Sequence, residues 1–222
     1  MTPTFARFLS YGLIRAVRNV TIALLLASPA AATTIAALGD SLTQGYGLLP
    51  EEGFVPQLQA WLAAQGQSVT VQNAGVSGDT SADGLARLDW TLAPEVQGLI
   101  VTLGANDMLR GIDPAQTRTN LDALLQGAKA KNIPVLLVGI QAAGNYGPDY
   151  KAQFDAIYPD LAAQYHVLLA PGFFAPLVAK APDPAALTQY LQPDGLHPNA
   201  QGVQMIVAGI GPFVLDLLKE IP

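Results

Sequence analysis

From residue 33 onward, short runs of apolar and often β-branched residues alternate with longer stretches in which apolar residues return every three or four positions. The short runs predict strands over 34–38, 69–73, 99–103, 135–140 and 166–170. The longer stretches predict helices over 54–65, 80–92, 114–131, 150–164 and 198–219. Asp113-Pro114 offers a capping carboxylate followed by proline at the first helical position, and His197-Pro198 repeats the proline signal. Gly211-Pro212 is expected to kink or split the last helix. No internal repeat or low-complexity linker breaks the pattern.

Strands alternating with helices of this length imply a parallel sheet covered on both faces, a three-layer α/β/α sandwich. Five strands suggest a flavodoxin-like sheet rather than the six-stranded dinucleotide-binding one. Ligands of such sheets sit beyond the carboxyl ends of the strands, at the point where the strand order reverses. The first three strands end there in polar turns: Gly39-Asp40-Ser41, the stretch from Gly75 through Gly78-Asp79-Thr80, and Gly104-Ala105-Asn106-Asp107. A fourth polar cluster, Asp194-Gly195-Leu196-His197, precedes the last helix and can fold over the same edge.

The first 32 residues follow a different pattern. They hold Arg7, Arg15 and Arg18 and no acidic residue, then an apolar run over 20–27, then Ser28-Pro29-Ala30-Ala31-Ala32. Basic, apolar and small-residue regions in that order mark a secretory signal peptide, and the apolar run is shorter than the ~20 residues needed to span a bilayer. The expectation is a leader over 1–32, cleavage near Thr33, a single domain over 33–222, and a periplasmic or secreted location. That domain would carry eight basic and seventeen acidic residues, a formal charge of −9.

Composition then narrows the chemistry. The whole chain carries −6, which argues against a nucleic-acid groove, since phosphate contacts need clustered Lys and Arg. With no cysteine there is no thiolate nucleophile, thiolate zinc site or disulfide framework, and two histidines cannot build a site of three or four imidazoles. No candidate strand is followed by G-x-G-x-x-G or a Walker A sequence, and the G-x-S-x-G elbow is absent. Ser41 nevertheless stands where a strand turns into a short helix, which presents its hydroxyl at the crevice near helix-end amides. A serine nucleophile needs a base, and His197 is the histidine on the correct side. Asp194, three positions earlier across Gly195, can accept from Nδ1 and leave Nε2 free for the serine proton. Acyl transfer also needs oxyanion donors, which the Asn106 amide and the backbone N–H groups of Gly78 and Ser41 can supply.

The blocks GDSLTQG, NAGVSGDTS, LGAND and DGLHPN, in that order, resemble the four blocks of the GDSL or SGNH hydrolases and span Gly39 to Asn199. The stretches SGDTSADGLARL and NYGPDYKAQFDAIYP are similar to the exported bacterial thioesterase, lysophospholipase and arylesterase branch. The resemblance implies Ser41 as nucleophile, Asp194 and His197 completing the triad, and Gly78 and Asn106 as oxyanion donors. It also implies a mobile loop over 108–113 beside an acyl crevice.

The expected activity is cofactor-free, metal-free serine hydrolysis of carboxylic esters and thioesters: aryl esters, acyl thioesters or lysophospholipids. Expected partners are those small molecules, with no nucleic acid, no stable membrane insertion, and a monomer or weak dimer. One alternative is a carbohydrate acetyl esterase of the same family. A metal-dependent phosphoesterase, suggested by Gly39-Asp40 and Gly78-Asp79, is short of imidazoles. A non-catalytic carbohydrate- or lipid-binding module is disfavoured by the intact triad. Asp40, Asp79 and Asp107 stand where turns and N-caps want an aspartate, their expected role. His166 is expected to open the fifth strand as a partly buried or edge histidine, and Trp61 and Trp90 to be packing residues. Met108, Leu109 and Tyr146 are either acyl-site lining or covered loop residues.

Overall fold

The computed structural model describes residues 33–222, and the expected leader over 1–32 lies outside the described residues. Five parallel strands form one sheet: β1 (Thr33–Gly39), β2 (Val69–Gly75), β3 (Val96–Thr102), β4 (Val135–Val138) and β5 (Leu168–Ala170). Their order is β2-β1-β3-β4-β5, the flavodoxin-like arrangement, with the reversal between β1 and β3. β4 is buried along its whole length and β1 from Ile35 onward, as covered parallel strands should be. At the sheet edge β2 alternates instead, with Val69 and Val71 inward and Thr70 outward.

Helices cover both faces. α1 (Ser41–Gln44) follows β1, and α2 (Phe54–Ala64) leads into β2. α3 (Ser81–Ala86) and α4 (Leu88–Thr91) follow β2, α5 (Ala105–Leu109) and α6 (Pro114–Ala130) follow β3, and α7 (Pro148–Tyr165) follows β4. After β5 come α8 (Ala175–Lys180), α9 (Pro184–Leu187) and α10 (Ala200–Glu220). α2, α8 and α10 pack together in one layer, and α3, α6 and α7 in the other. Val203, Ile206, Val207, Ile210, Val214 and Leu217 form the buried stripe of α10, at the three-and-four spacing of a helix pressed on a core.

Five sequence expectations change. The helix expected over 80–92 is two helices, broken at Arg87 (φ −109°, ψ 11°), whose side chain is drawn away to the sheet edge. His166 does not open β5. It ends α7 in the left-handed conformation (φ 55°), which histidine tolerates better than most residues, and it is exposed. α10 runs through Gly211-Pro212 without splitting. The glycine serves packing there, since a β-carbon at 211 would lie 2.5 Å from the Trp61 ring. Trp61 thus packs as expected, but Trp90 is 78% exposed on α4 and packs little. Met108 and Leu109, read as loop, form the end of α5.

Candidate active site

The first three strands deliver their turns to one edge, as the topology requires. Because β1 lies between β2 and β3, the turn holding Ser41 is flanked by those holding Gly78 and Asn106. Gly39 is needed in that first turn, since a β-carbon there would lie 2.8 Å from the Thr102 carbonyl oxygen and closer still to Thr43 Oγ1. Asp40 caps α1 by accepting from Leu42 N–H at 2.9 Å. Ser41 is therefore the first helical residue, a position whose N–H has no intrahelical acceptor.

The Asp194-His197 turn closes over the same edge. Leu191 bridges Pro198, Gln192 N–H donates to the His197 carbonyl at 2.7 Å, and Gly195 N–H donates to the Gln192 carbonyl at 3.0 Å. Gly195 takes φ 69°, as the sharp reversal demands. Within this turn Asp194 Oδ1 accepts from Leu196 N–H at 2.9 Å and His197 N–H at 3.0 Å. Its other oxygen, Oδ2, lies 2.6 Å from His197 Nδ1. On the far side of the ring, Nε2 lies 2.9 Å from Ser41 Oγ, across 156 positions of sequence. The Tyr46 ring stands against the imidazole with centroids 4.8 Å apart. The three residues expected to form a triad are in hydrogen-bonding sequence.

Charge in the site is shaped by those contacts. The hydrogen bond from His197 N–H, joined by those from its ring and from Leu196 N–H, holds the Asp194 carboxyl down to about 2. Asp40 has the opposite environment. Burial pushes its carboxyl up to about 6, against the opposing pull of Leu42 N–H, the nearby His197 and the Asn106 amide.

The two further expected donors lie on either side. Gly78 takes φ 88° in a turn closed by Asp79 N–H to the Val76 carbonyl at 3.1 Å. Asn106 is in the first turn of α5, which starts at Gly104 (φ 112°), where a β-carbon would lie 2.2 Å from Tyr158 Oη. Asn106 Nδ2 donates to the Asp79 carbonyl at 3.0 Å and to Asp40 Oδ2 at 3.3 Å. It thereby touches the residue next to Gly78 and the residue next to Ser41.

The three aspartates read as structural are structural. Asp40 caps α1, Asp79 pairs with Arg87 at 2.7 Å, and buried Asp107 accepts from Ser81 N–H, Ser81 Oγ and Thr117 Oγ1. Met108 is partly buried against the core, whereas Leu109 and Tyr146 are 48% and 43% exposed. Tyr146 Oη donates to the Leu109 carbonyl at 3.1 Å, so these two form an apolar rim beside Asn106 rather than covered filling.

Sequence reasoning missed Arg87, which orders this edge from behind. Its guanidinium donates to Asp79 Oδ2 at 2.7 Å, to the Ala74 carbonyl at 2.7 Å and to the Gly39 carbonyl at 2.8 Å. One side chain thus joins the ends of β1 and β2 to the turn of Gly78. Gln44 was missed too; its Oε1 accepts from Ser77 N–H at 3.0 Å. Apart from the Asp79 carboxylate, both act on backbone groups, which leave no mark in residue types. An open cavity of about 320 Å³ at the amino ends of β4 and β5, lined in part by Lys129, Tyr165 and His166, lies at the opposite edge from Ser41.

Over most of its length the chain is similar to known proteins. Residues 37–205 match the family model of the GDSL-like lipase/acylhydrolase family. Esterase TesA of Pseudomonas aeruginosa is 40% identical over 195 residues, covering 87% of this chain and 94% of that protein. Thioesterase 1/protease 1/lysophospholipase L1 of Escherichia coli is 42% identical over 201 residues, covering 90% of this chain and 88% of that protein. The crystal structure of the psychrotrophic esterase EstA from Pseudoalteromonas sp., inhibited by monoethylphosphonate, aligns with a TM-score of 0.75 at 34% identity, over 84% of this chain and 99% of that one. A family match over most of the chain, with relatives of this identity and coverage, means that the chain belongs to the GDSL-like lipase/acylhydrolase family.

Proposed function

We propose that this protein is a serine esterase that hydrolyses carboxylic esters and thioesters, with aryl esters, acyl thioesters and lysophospholipids as its substrate range, through an acyl-enzyme on Ser41. The observation that carries the reading is the single imidazole of His197, 2.6 Å from Asp194 Oδ2 on one side and 2.9 Å from Ser41 Oγ on the other. Names of relatives support the substrate range, being those of an esterase and of a thioesterase with lysophospholipase activity.

In this mechanism ionised Asp194 accepts from Nδ1–H, which fixes the tautomer with a free Nε2 lone pair. Ser41 Oγ attacks the substrate carbonyl as its proton passes to Nε2. The oxyanion that forms takes hydrogen bonds from the Ser41 and Gly78 N–H groups and from Asn106 Nδ2, which gives up its longer bond to Asp40 Oδ2 to reach it. The imidazolium then protonates the departing alkoxide or thiolate, leaving acylated Ser41. Water attacks the acyl carbonyl and gives a proton to Nε2, and the second tetrahedral species collapses to carboxylic acid as Nε2 returns that proton to Ser41 Oγ. No step requires a metal.

Export belongs to the same reading. The basic, apolar and small-residue order of residues 1–32 supports a cleaved leader and a periplasmic or secreted enzyme. Hydrolysis of p-nitrophenyl esters of increasing acyl length, an acyl thioester and a lysophospholipid, each with and without EDTA, tests the activity. The proposal expects turnover insensitive to EDTA and abolished in Ser41→Ala. Loss on chelation with recovery on adding a divalent cation would overturn it.

A further inference from the structure

The catalytic base and the nucleophile sit on loops far apart in sequence, and a serine hydroxyl misplaced by about 1 Å reacts ~10²-fold more slowly. Something must set the distance between those loops. Asp194 cannot do so alone, because it shares the turn of His197 and moves with it.

We infer that Gln192 is the positioning residue that holds His197 against Ser41, by donating both hydrogens of its side-chain amide to carbonyl oxygens on the two loops. Nε2 lies 2.8 Å from the Tyr46 carbonyl oxygen and 3.0 Å from the Pro198 carbonyl oxygen. The path is continuous at both ends. Tyr46 N–H donates to the Ser41 carbonyl at 3.1 Å, and Pro198 directly follows His197. The backbone of Gln192 is fixed as well, its N–H bonded to the His197 carbonyl at 2.7 Å. Two acceptors facing one nitrogen dictate which end of the amide is the donor. Its Oε1 lies where a β-carbon on Gly47 would approach to 2.2 Å, so a glycine at φ 75° leaves the amide its room. Without the donor, two carbonyl oxygens from different loops would share that space with nothing between them, and they repel. The Tyr46 ring, tilted against the imidazole with centroids 4.8 Å apart, rides on the same loop.

This inference rests on the proposed catalytic roles of Ser41 and His197, and its test separates the two. Gln192→Met and Gln192→Glu keep the length of the side chain and remove the donors. Rates should be normalised to the number of sites that a serine-directed organophosphonate titrates, so that partial unfolding of either variant does not enter. Both variants should lower kcat for p-nitrophenyl acetate and the phosphonylation rate of Ser41 together, by about 10- to 100-fold. KM should stay within about twofold. The pH dependence of kcat/KM should not move in Gln192→Met, because the Asp194–His197 pair travels as a unit, whereas the carboxylate of Gln192→Glu should raise its midpoint. A side chain that only fills space would leave the rate per titrated site unchanged in Gln192→Met. Wild-type phosphonylation rates per site in either variant overturn the inference while leaving the triad intact. Absence of Ser41 labelling in the unsubstituted enzyme would instead overturn the catalytic reading beneath it.

Discussion

Asn106 Nδ2 donates to Asp40 Oδ2 at 3.3 Å, across 66 positions of sequence, which ties the third strand's turn to the residue immediately before Ser41. The same carboxylate is almost fully buried, and burial holds its titration up at about 6 against the ordinary 3.8. The folded state therefore binds this proton more tightly than the unfolded chain. The contribution is full below 3.8 and is lost as pH rises through about 6, a fall of about 3 kcal/mol in unfolding free energy over that window. Denaturant unfolding followed from acid to neutral pH should show this decline in the native enzyme and not in Asp40→Asn. In that variant an amide donor faces the Asn106 donor, so kcat should fall too, but less than the ~10²- to 10³-fold loss from Asn106→Ala. Parallel stability profiles would contradict the assignment.

Asp194 behaves oppositely. Its carboxyl is held at about 2, below the ordinary 3.8, so its contribution to stability is present above 3.8 and lost only as pH falls through about 2. It stays ionised across the mildly acidic range, and loss of activity there is not its protonation. Asp194→Asn should lower kcat by on the order of 10³ to 10⁴, because an amide can hold the wrong imidazole tautomer and cannot stabilise imidazolium. Steady-state kinetics that place the variant within tenfold of the native enzyme would count against the triad.

Arg87 gives a prediction about stability rather than chemistry. Its removal leaves Asp79 and the Ala74 and Gly39 carbonyls without their donors, so Arg87→Ala should cost about 3 kcal/mol in equilibrium unfolding. Lysine has one compact ammonium in place of a planar fork, and Arg87→Lys should recover only part of that. Full recovery would show that charge alone matters there.

The layout of the site was legible in the sequence where chemistry depends on residue type. Ser41, Asp194 and His197 stood out because a nucleophile, a base and its orienter had to come from strand-end turns, and the regular alternation of strand and helix placed those turns together. Arg87 and Gln192 were not legible. Apart from the Asp79 carboxylate, their partners are the backbone carbonyl oxygens of Ala74, Gly39, Tyr46 and Pro198, residues whose side chains say nothing of it. Gly211 misled for a related reason: its meaning lies in the Trp61 ring beside it, not in helix propensity. His166 was misread because a left-handed helix end and a strand start look alike within a short apolar stretch.

Leu109 lies three positions after Asn106 on α5, hence on the same side of the helix, and is half exposed beside Tyr146. That geometry makes it exposed rim rather than core, the side chain an acyl group on Ser41 would meet under the proposed mechanism. Leu109→Asp should lower kcat/KM for long-chain p-nitrophenyl esters about tenfold more than for the acetate, since each buried methylene contributes about 0.8 kcal/mol. An equal loss at every chain length would place Leu109 outside the acyl path.

In the proposed chemistry Ser41 Oγ forms the covalent bond and His197 makes it reactive. Intact-mass and peptide analysis after exposure to a serine-directed organophosphonate tests this most directly, comparing the native enzyme with Ser41→Ala and His197→Gln. One adduct per chain should form, on the peptide containing Ser41 and in step with loss of esterase activity, absent in Ser41→Ala and slowed on the order of 10³-fold or more in His197→Gln. A fully phosphonylated Ser41 with esterase activity retained, or an inactivating adduct on another residue, would contradict it.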